Sequence, residues 1–426
     1  MFLRSLVLSC RLQFIGLLLI GLALAVPARA DWLQYRDGAD RNAVVDTQLA
    51  APTDRVSALP TPDEVRATPT VYDGDLLVGN HLAGALQRID PATGTDRWSL
   101  NAPNWVHSEI VWAGKIGVVG YGNRYFPSDD DPNEVNYVRG TGASGVIALD
   151  LDDGTVRWRY RTIGEVMPTP VIDQGRVYAA TGDRAVHVLD LNTGRQLGLI
   201  RLGSFVSMSS PALDTQGRLF VGGGDPYRLF CIDPVGQTVV WHSDFPDMIG
   251  GVDDVPPAVA GDTVYTTGVI GTDRPDRFDH RLYAIDAATG QRRWEVSLGI
   301  GGPVKNNRSG APVVAEDRVV VGSPTSKSLQ AFTLDGTRLW RLDSGAMKAP
   351  VVIHDGTVYA VNAAGEILVV DLASGTLRKR YKLSDKPLAP AGPVLVGQHL
   401  VVPAQDKHVY LVPLALLNTP ADDAGR

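Results

Sequence analysis

Apolar and polar residues alternate with a period of two through most of this chain, in short runs broken by Gly, Asp, Pro and Asn. One pattern keeps returning. Ala284–Trp294 reads AIDAATGQRRW, Leu86–Trp98 reads LQRIDPATGTDRW, and Ile147–Trp158 reads IALDLDDGTVRW. Val186–Ile200, Leu229–Trp241 and Leu368–Lys379 repeat it, and Leu329–Trp340 is a looser copy. Each copy is an alternating run, an Asp, a Gly-bearing turn and a second alternating run, which predicts two strands joined by a hairpin. Asp90, Asp150, Asp190, Asp233, Asp286 and Asp371 are placed to accept from turn amides, and the glycines supply positive φ. Trp98, Trp158, Trp241, Trp294 and Trp340 end their copies, and they predict aromatic anchors packed between neighbouring sheets.

The turn glycines, Gly94, Gly154, Gly194, Gly236, Gly290, Gly336 and Gly375, lie 60, 40, 42, 54, 46 and 39 residues apart. That is the period of a propeller blade with insertions. Each unit opens on a polar or Pro-bearing lead-in to an apolar run, such as Thr68–Val71, Pro168–Val171 or Pro257–Val259. With His107–Trp112 opening the second unit, the pattern predicts an all-β, eight-bladed propeller of four-stranded antiparallel blades; seven is the alternative count. The last unit, Pro387–Leu414, lacks the repeated hairpin. Asp31–Arg36 is the expected fourth strand there, closing the ring against Lys407–Val412 with Trp32 buried. The propeller would thus span 31–418, with a polar connector running to about Arg66 and a flexible tail at 419–426.

Composition changes this picture little: 45 Gly and 28 Pro in 426 residues suit a turn-rich all-β chain. Met1–Ala30 is a separate object. Arg4 and Arg11 precede the apolar run Phe14–Val26, and Ala28-Arg-Ala30 suits signal peptidase, which predicts a cleaved signal peptide and a periplasmic or secreted protein. A retained anchor and lipidation at Cys10 are the other readings of that segment. Cleavage would remove three arginines and no acid from a chain whose formal charge is already −7. An acidic chain with no basic stripe argues against nucleic acid or anionic lipid as the main partner. Cys231, the one cysteine then left, reads as a small core residue, and no intrachain disulfide could form.

The lead-ins to the first strands recur near the ring axis, so their polar residues should line one mouth of the channel. They are Arg66; His107 and Glu109; Glu165; Ser207, Ser209 and Ser210; Asp253 and Asp254; Lys305, Asn306, Asn307 and Arg308; and Lys348. Strand direction puts this ring on one face with the long loops Asn123–Ser144 and Gly271–His280, opposite the Asp…Gly turns. Asp253, Asp254, Arg308, Lys305, His107 and Glu165 are the candidates for partner binding; alternatively these charges only solvate a pore mouth. Ser128–Glu134 reads as a solvated acidic loop, because its spacing is not that of a Ca²⁺ loop and Pro132 interrupts it. The eight His show no HExxH or paired-ligand spacing, and there is no GxSxG elbow or GxxxxGK[ST] loop, so no catalytic, cofactor or metal residue is assigned.

The hairpin repeat at Ala284–Trp294 resembles that of the pyrroloquinoline-quinone (PQQ)-like propellers, over about Asp31–Leu414. Within them the chain is most similar to the BamB branch, eight-bladed periplasmic propellers that assist outer-membrane β-barrel assembly. The resemblance implies a monomeric, non-enzymatic scaffold with a protein partner, held through Asp254 ahead of Pro257 and the Arg-bearing run Asn307–Pro312. Two other functions stay open. One is a PQQ-dependent oxidoreductase, with Ca²⁺ held by Asp253 or Glu165, an Asp as base, and Lys305 or Arg308 against the quinone oxygens. The other is a carbohydrate- or peptide-binding propeller.

Overall fold

Alternation along the strands becomes eight antiparallel sheets standing in a ring in the computed structural model, which describes residues 31–126, 138–303 and 309–419. Blade 1 sets the plan: Thr70–Tyr72, Asp75–Gly79, Ala85–Ile89 and Asp96–Asn101 follow one another from the axis outwards. Burial fixes that order. The first three strands are wholly buried, while the fourth alternates exposed and buried positions as an outer edge must. Six sheets have four strands and two carry a fifth. One of the latter is blade 5, where Thr263–Gly271 and Phe278–Asp286 pair along their whole length. The expected long loop at Gly271–His280 therefore shrinks to residues 272–277.

The repeated Asp works as its position suggested. In blade 5, Asp286 Oδ1 accepts from the amides of Ala288 and Thr289 and from the Thr289 hydroxyl, and Gly290 follows at φ 73°. The repeated Trp joins blades. Trp98 Nε1 donates to Leu151 O at 2.8 Å, one blade on, and its ring covers the turn glycine Gly154, whose Cβ would come within 2.7 Å. Trp158, Trp241, Trp294 and Trp340 repeat both contacts with the carbonyls of Leu191, Ala287, Leu334 and Leu372 and with Gly194, Gly290, Gly336 and Gly375. Three junctions lack a Trp, and each finds a substitute. Gly198 occupies the slot in blade 3, and the Gln237 side chain from the next turn fills the space. Lys379 in blade 7 donates to Leu416 O, on the short helix Leu414–Asn418 that ends the last blade. Leu59 packs against Gly94.

Leu59 belongs to the strand that closes the ring, and here the structure corrects the sequence reading. Ser57–Pro60, not Asp31–Arg36, pairs antiparallel with His408–Pro413 as the outer strand of blade 8. Residues 31–45 instead run as a belt around the inside of the channel. Trp32 pairs with Trp112, Leu33 O accepts from Ile172 N, and Gln34 exchanges two hydrogen bonds with the Leu213 backbone. Ala39 O then accepts from Val259 N, Asp40 O from Val314 N, and Asn42 exchanges two bonds with Ile353. Val44–Val45 finishes parallel to Leu395–Val396. Blades 2 to 8 are thus visited in chain order at their innermost strands. The physical reason is that an innermost strand has an unpaired edge facing the axis, and the belt satisfies it blade by blade. Trp32 is buried as expected, but inside the ring.

Two arginines lock the belt. Arg36 and Arg41 are wholly buried, with φ of 57° and 67°. Arg36 donates to the carbonyls of Arg41, Ala391, Pro393 and Val351. Arg41 donates to those of Pro257, Tyr35, Gly38, Ser210 and Pro211. Glu109 Oε2 accepts from Arg36 N at 2.9 Å and Trp32 Nε1 at 3.2 Å, so it anchors the belt and does not belong to the channel mouth.

Candidate functional site

The lead-ins of the first strands and the loops between second and third strands converge on the face opposite the Asp…Gly turns. They enclose a cavity of about 570 Å³, lined from all eight blades and by Tyr35 of the belt. Of the residues expected at this mouth, Arg66, His107, Ser207, Ser210, Asp253, Asp254 and Lys348 line the cavity. Glu165 is wholly buried and ion-paired to Arg139, so it reaches the cavity only through that partner. Ser209 is structural: its hydroxyl donates to Val255 O and accepts from Gly222 N. Lys305, Asn306, Asn307, Arg308 and the acidic run Ser128–Glu134 lie outside the described residues.

Sequence reasoning missed His81, Trp105, Arg124, Tyr125 and Arg139, which also line the cavity. Their signal was present but unused: all sit in loops on the face already singled out. His81 Nδ1 and His107 Nε2 lie 2.5 Å apart, in a cluster of rings with Trp105 and Tyr125. Across the cavity, Lys348 Nζ meets Asp254 Oδ2 at 2.5 Å. Burial holds His81 down at about 4, with Arg66 adding to it, and His107 well below its ordinary range. Both imidazoles are neutral at pH 7. Asp253 is pushed up to about 6 by burial and then by Asp254, while its carbonyl takes the amides of Ser207, Met208 and Ser209.

A Ca²⁺ ion at Asp253 or Glu165 does not fit this donor set. Arg139 engages Glu165 Oε1 and the Met167 amide engages Oε2. Among the described residues no three His, Cys, Asp or Glu side chains converge as metal ligands.

The family model described as outer membrane protein assembly factor BamB matches residues 132–197 and 202–415. The chain belongs to the BamB family. It is 27% identical to BamB of Burkholderia pseudomallei over 360 residues, covering 79% of this chain and 81% of that one. It is also 26% identical over 285 residues to a tetrathionate hydrolase of Acidithiobacillus ferrooxidans, covering 65% of this chain. It spans only 56% of that hydrolase's length. In three dimensions it resembles BamB from Moraxella catarrhalis, with a TM-score of 0.62 at 16% identity, covering 84% of this chain and 99% of that structure. No described helix is long and apolar enough to cross a membrane.

The buried titratable groups of this BamB-family propeller predict its pH profile. Burial raises Glu109 and Glu165 to about 7, against an ordinary 4.5, although Arg139 opposes it at Glu165. The stability owed to these carboxyls and to Asp253 is complete below their ordinary values and is lost as pH rises through about 6 to 7. The lowered imidazoles act in the other sense. Their share is complete above 6.5 and is lost as pH falls towards about 4 for His81 and about 3 for the buried His280. The two slopes oppose each other between about 4.5 and 6.5. Thermal melts from pH 3 to pH 9 should therefore peak in that mildly acidic window and decline on both sides. A maximum above pH 8 would contradict the assignment.

Proposed function

We propose that this chain is a non-enzymatic binding scaffold of the periplasm that assists outer-membrane protein assembly, holding a protein partner on the funnel face. One observation carries the reading beyond family membership. Leu82, Tyr125 and Ile249 line the cavity yet are 57%, 46% and 37% exposed. An apolar rim around a polar, charged centre is how a surface built to be covered differs from scattered exposed side chains. Asp254 and Lys348 lie within that rim, and their pairing leaves both available for exchange with a partner's charges.

A photo-crosslinking residue placed at Leu82, Tyr125 or Ile249 in the native host should capture a component of the outer-membrane assembly machinery. The same residue at Val235 or Leu334, on the turn face, should not. Asp254→Lys should abolish capture without unfolding the ring, because it sets two cations against each other, whereas Asp152→Lys on the turn face should leave capture intact. Capture from the turn face alone would reverse the assignment of the working face, and no capture from either face would end the scaffold reading.

A further inference from the structure

The cations of the funnel are not all directly partnered. Two of its cations are matched: Arg139 pairs with Glu165 and Lys348 with Asp254. Two are not. Among the described residues Arg66 and Arg124 make no hydrogen bond or ion pair, and Arg66 Nε is buried without a partner. They also burden each other: Arg124 acts on Arg66 as a like charge, opposing Glu64 and Asp254. A guanidinium is strongly favoured to hold a carboxylate or oxyanion in bidentate fashion, and two of them with no direct hydrogen-bonding partner in a half-enclosed space favour a doubly charged guest. The neighbouring imidazoles do not compete for it. The His81–His107 pair satisfies one nitrogen of each ring and leaves His107 Nδ1 buried without a partner. If His81 Nδ1 is the donor in that pair, His107 Nδ1 carries a proton and is a further donor for an anion. The rings of Trp105 and Tyr125 supply an apolar wall against which an organic anion can lie.

We propose that the funnel is a binding site for a dianion, a dicarboxylate or a two-charged oxyanion, clamped by Arg66 and Arg124 beside the His81–His107 pair. This site goes beyond the assembly reading and does not rest on it. The shared chemistry could be delivered in two ways, as a free small anion or as acidic side chains of a bound protein.

Titration calorimetry on the purified protein at low ionic strength tests this with three probes: malonate, thiosulfate and an acidic peptide of alternating Glu and Asp. We expect saturable one-to-one binding of at least one of them. Arg124→Gln and Arg66→Gln should each weaken it by at least about tenfold, as loss of a charge-assisted hydrogen bond would. Arg124 is exposed, so its variant should keep the native melting temperature even if Arg66→Gln does not. Saturation by the small dianions alone identifies a free ligand, and saturation by the peptide alone identifies a protein-borne one; both support the site. Failure of all three probes to saturate into the millimolar range would overturn it. So would undiminished binding by a folded Arg124→Gln protein. Neither result bears on crosslinking at Leu82 or Ile249, so the two readings fail separately.

Discussion

Arg41→Ala should destabilise the ring by about 3–5 kcal/mol, the usual cost of removing one partner from a buried charged network. That corresponds to a fall in melting temperature on the order of 10 °C. The side chain donates to five carbonyls, two within the belt itself and three in blades 4 and 5. Removing it leaves those buried acceptors without their donors, and each unsatisfied buried acceptor costs about 1–3 kcal/mol. Arg41→Lys should recover little, because an ammonium offers three donors from one point and cannot span carbonyls that a planar fork reaches. Arg36→Ala should behave alike, since its guanidinium ties blades 7 and 8 to the belt. Melts of the three variants beside the parent are sufficient. Equal melting temperatures would mean that the belt decorates the channel and does not hold it.

The belt also marks where the sequence stopped being legible. The hairpins, the turn glycines and the tryptophan slots could be read because each is a local periodicity, the first two written seven times and the Trp five. The alternation in Asp31–Arg36 announced a strand, but only an isolated bridge at Trp32 forms before a 3-10 turn at Tyr35–Asp37, and the partners of residues 31–45 are mostly main-chain groups of seven separate blades, which leave no residue code. What could have been noticed is two arginines among small residues in a segment outside the blade repeat, at Arg36, Gly38, Ala39, Arg41 and Ala43. Ser57–Pro60 was hidden differently: Leu59 stands in for Trp, and a Pro ends the strand. The funnel was half legible. Strand direction gave the face, and so gave Arg66, His107, Asp253, Asp254 and Lys348, whereas Arg124 and Arg139 come from a loop whose path no repeat dictates.

The tryptophan and glycine slots should prove to be one device, and a double-mutant cycle at the junction of blades 6 and 7 can show it. Trp340 is 8% exposed, its Nε1 donates to Leu372 O at 2.8 Å, and it lies over Gly375 at φ 71°. Trp340→Ala should cost about 3–5 kcal/mol as a large truncation in a closed contact. Gly375→Ala should be costly for two reasons. An added Cβ would come within 2.6 Å of the indole, an overpacking term of about 1–3 kcal/mol, and positive φ adds about 1–2 kcal/mol for any residue with a Cβ. In the double variant the clash has no partner, so only the backbone term of the second change should remain. The two costs should then fall short of additivity by the lost overpacking term, about 1–3 kcal/mol, whereas residues that do not touch would add. The junction of blades 3 and 4 already displays the compensated form, with Gly198 in the Trp slot and Gln237 in the vacated space. Simple additivity in the measured unfolding energies would mean that ring and glycine were selected separately, and the repeat would lose its claim to be a unit of packing between blades.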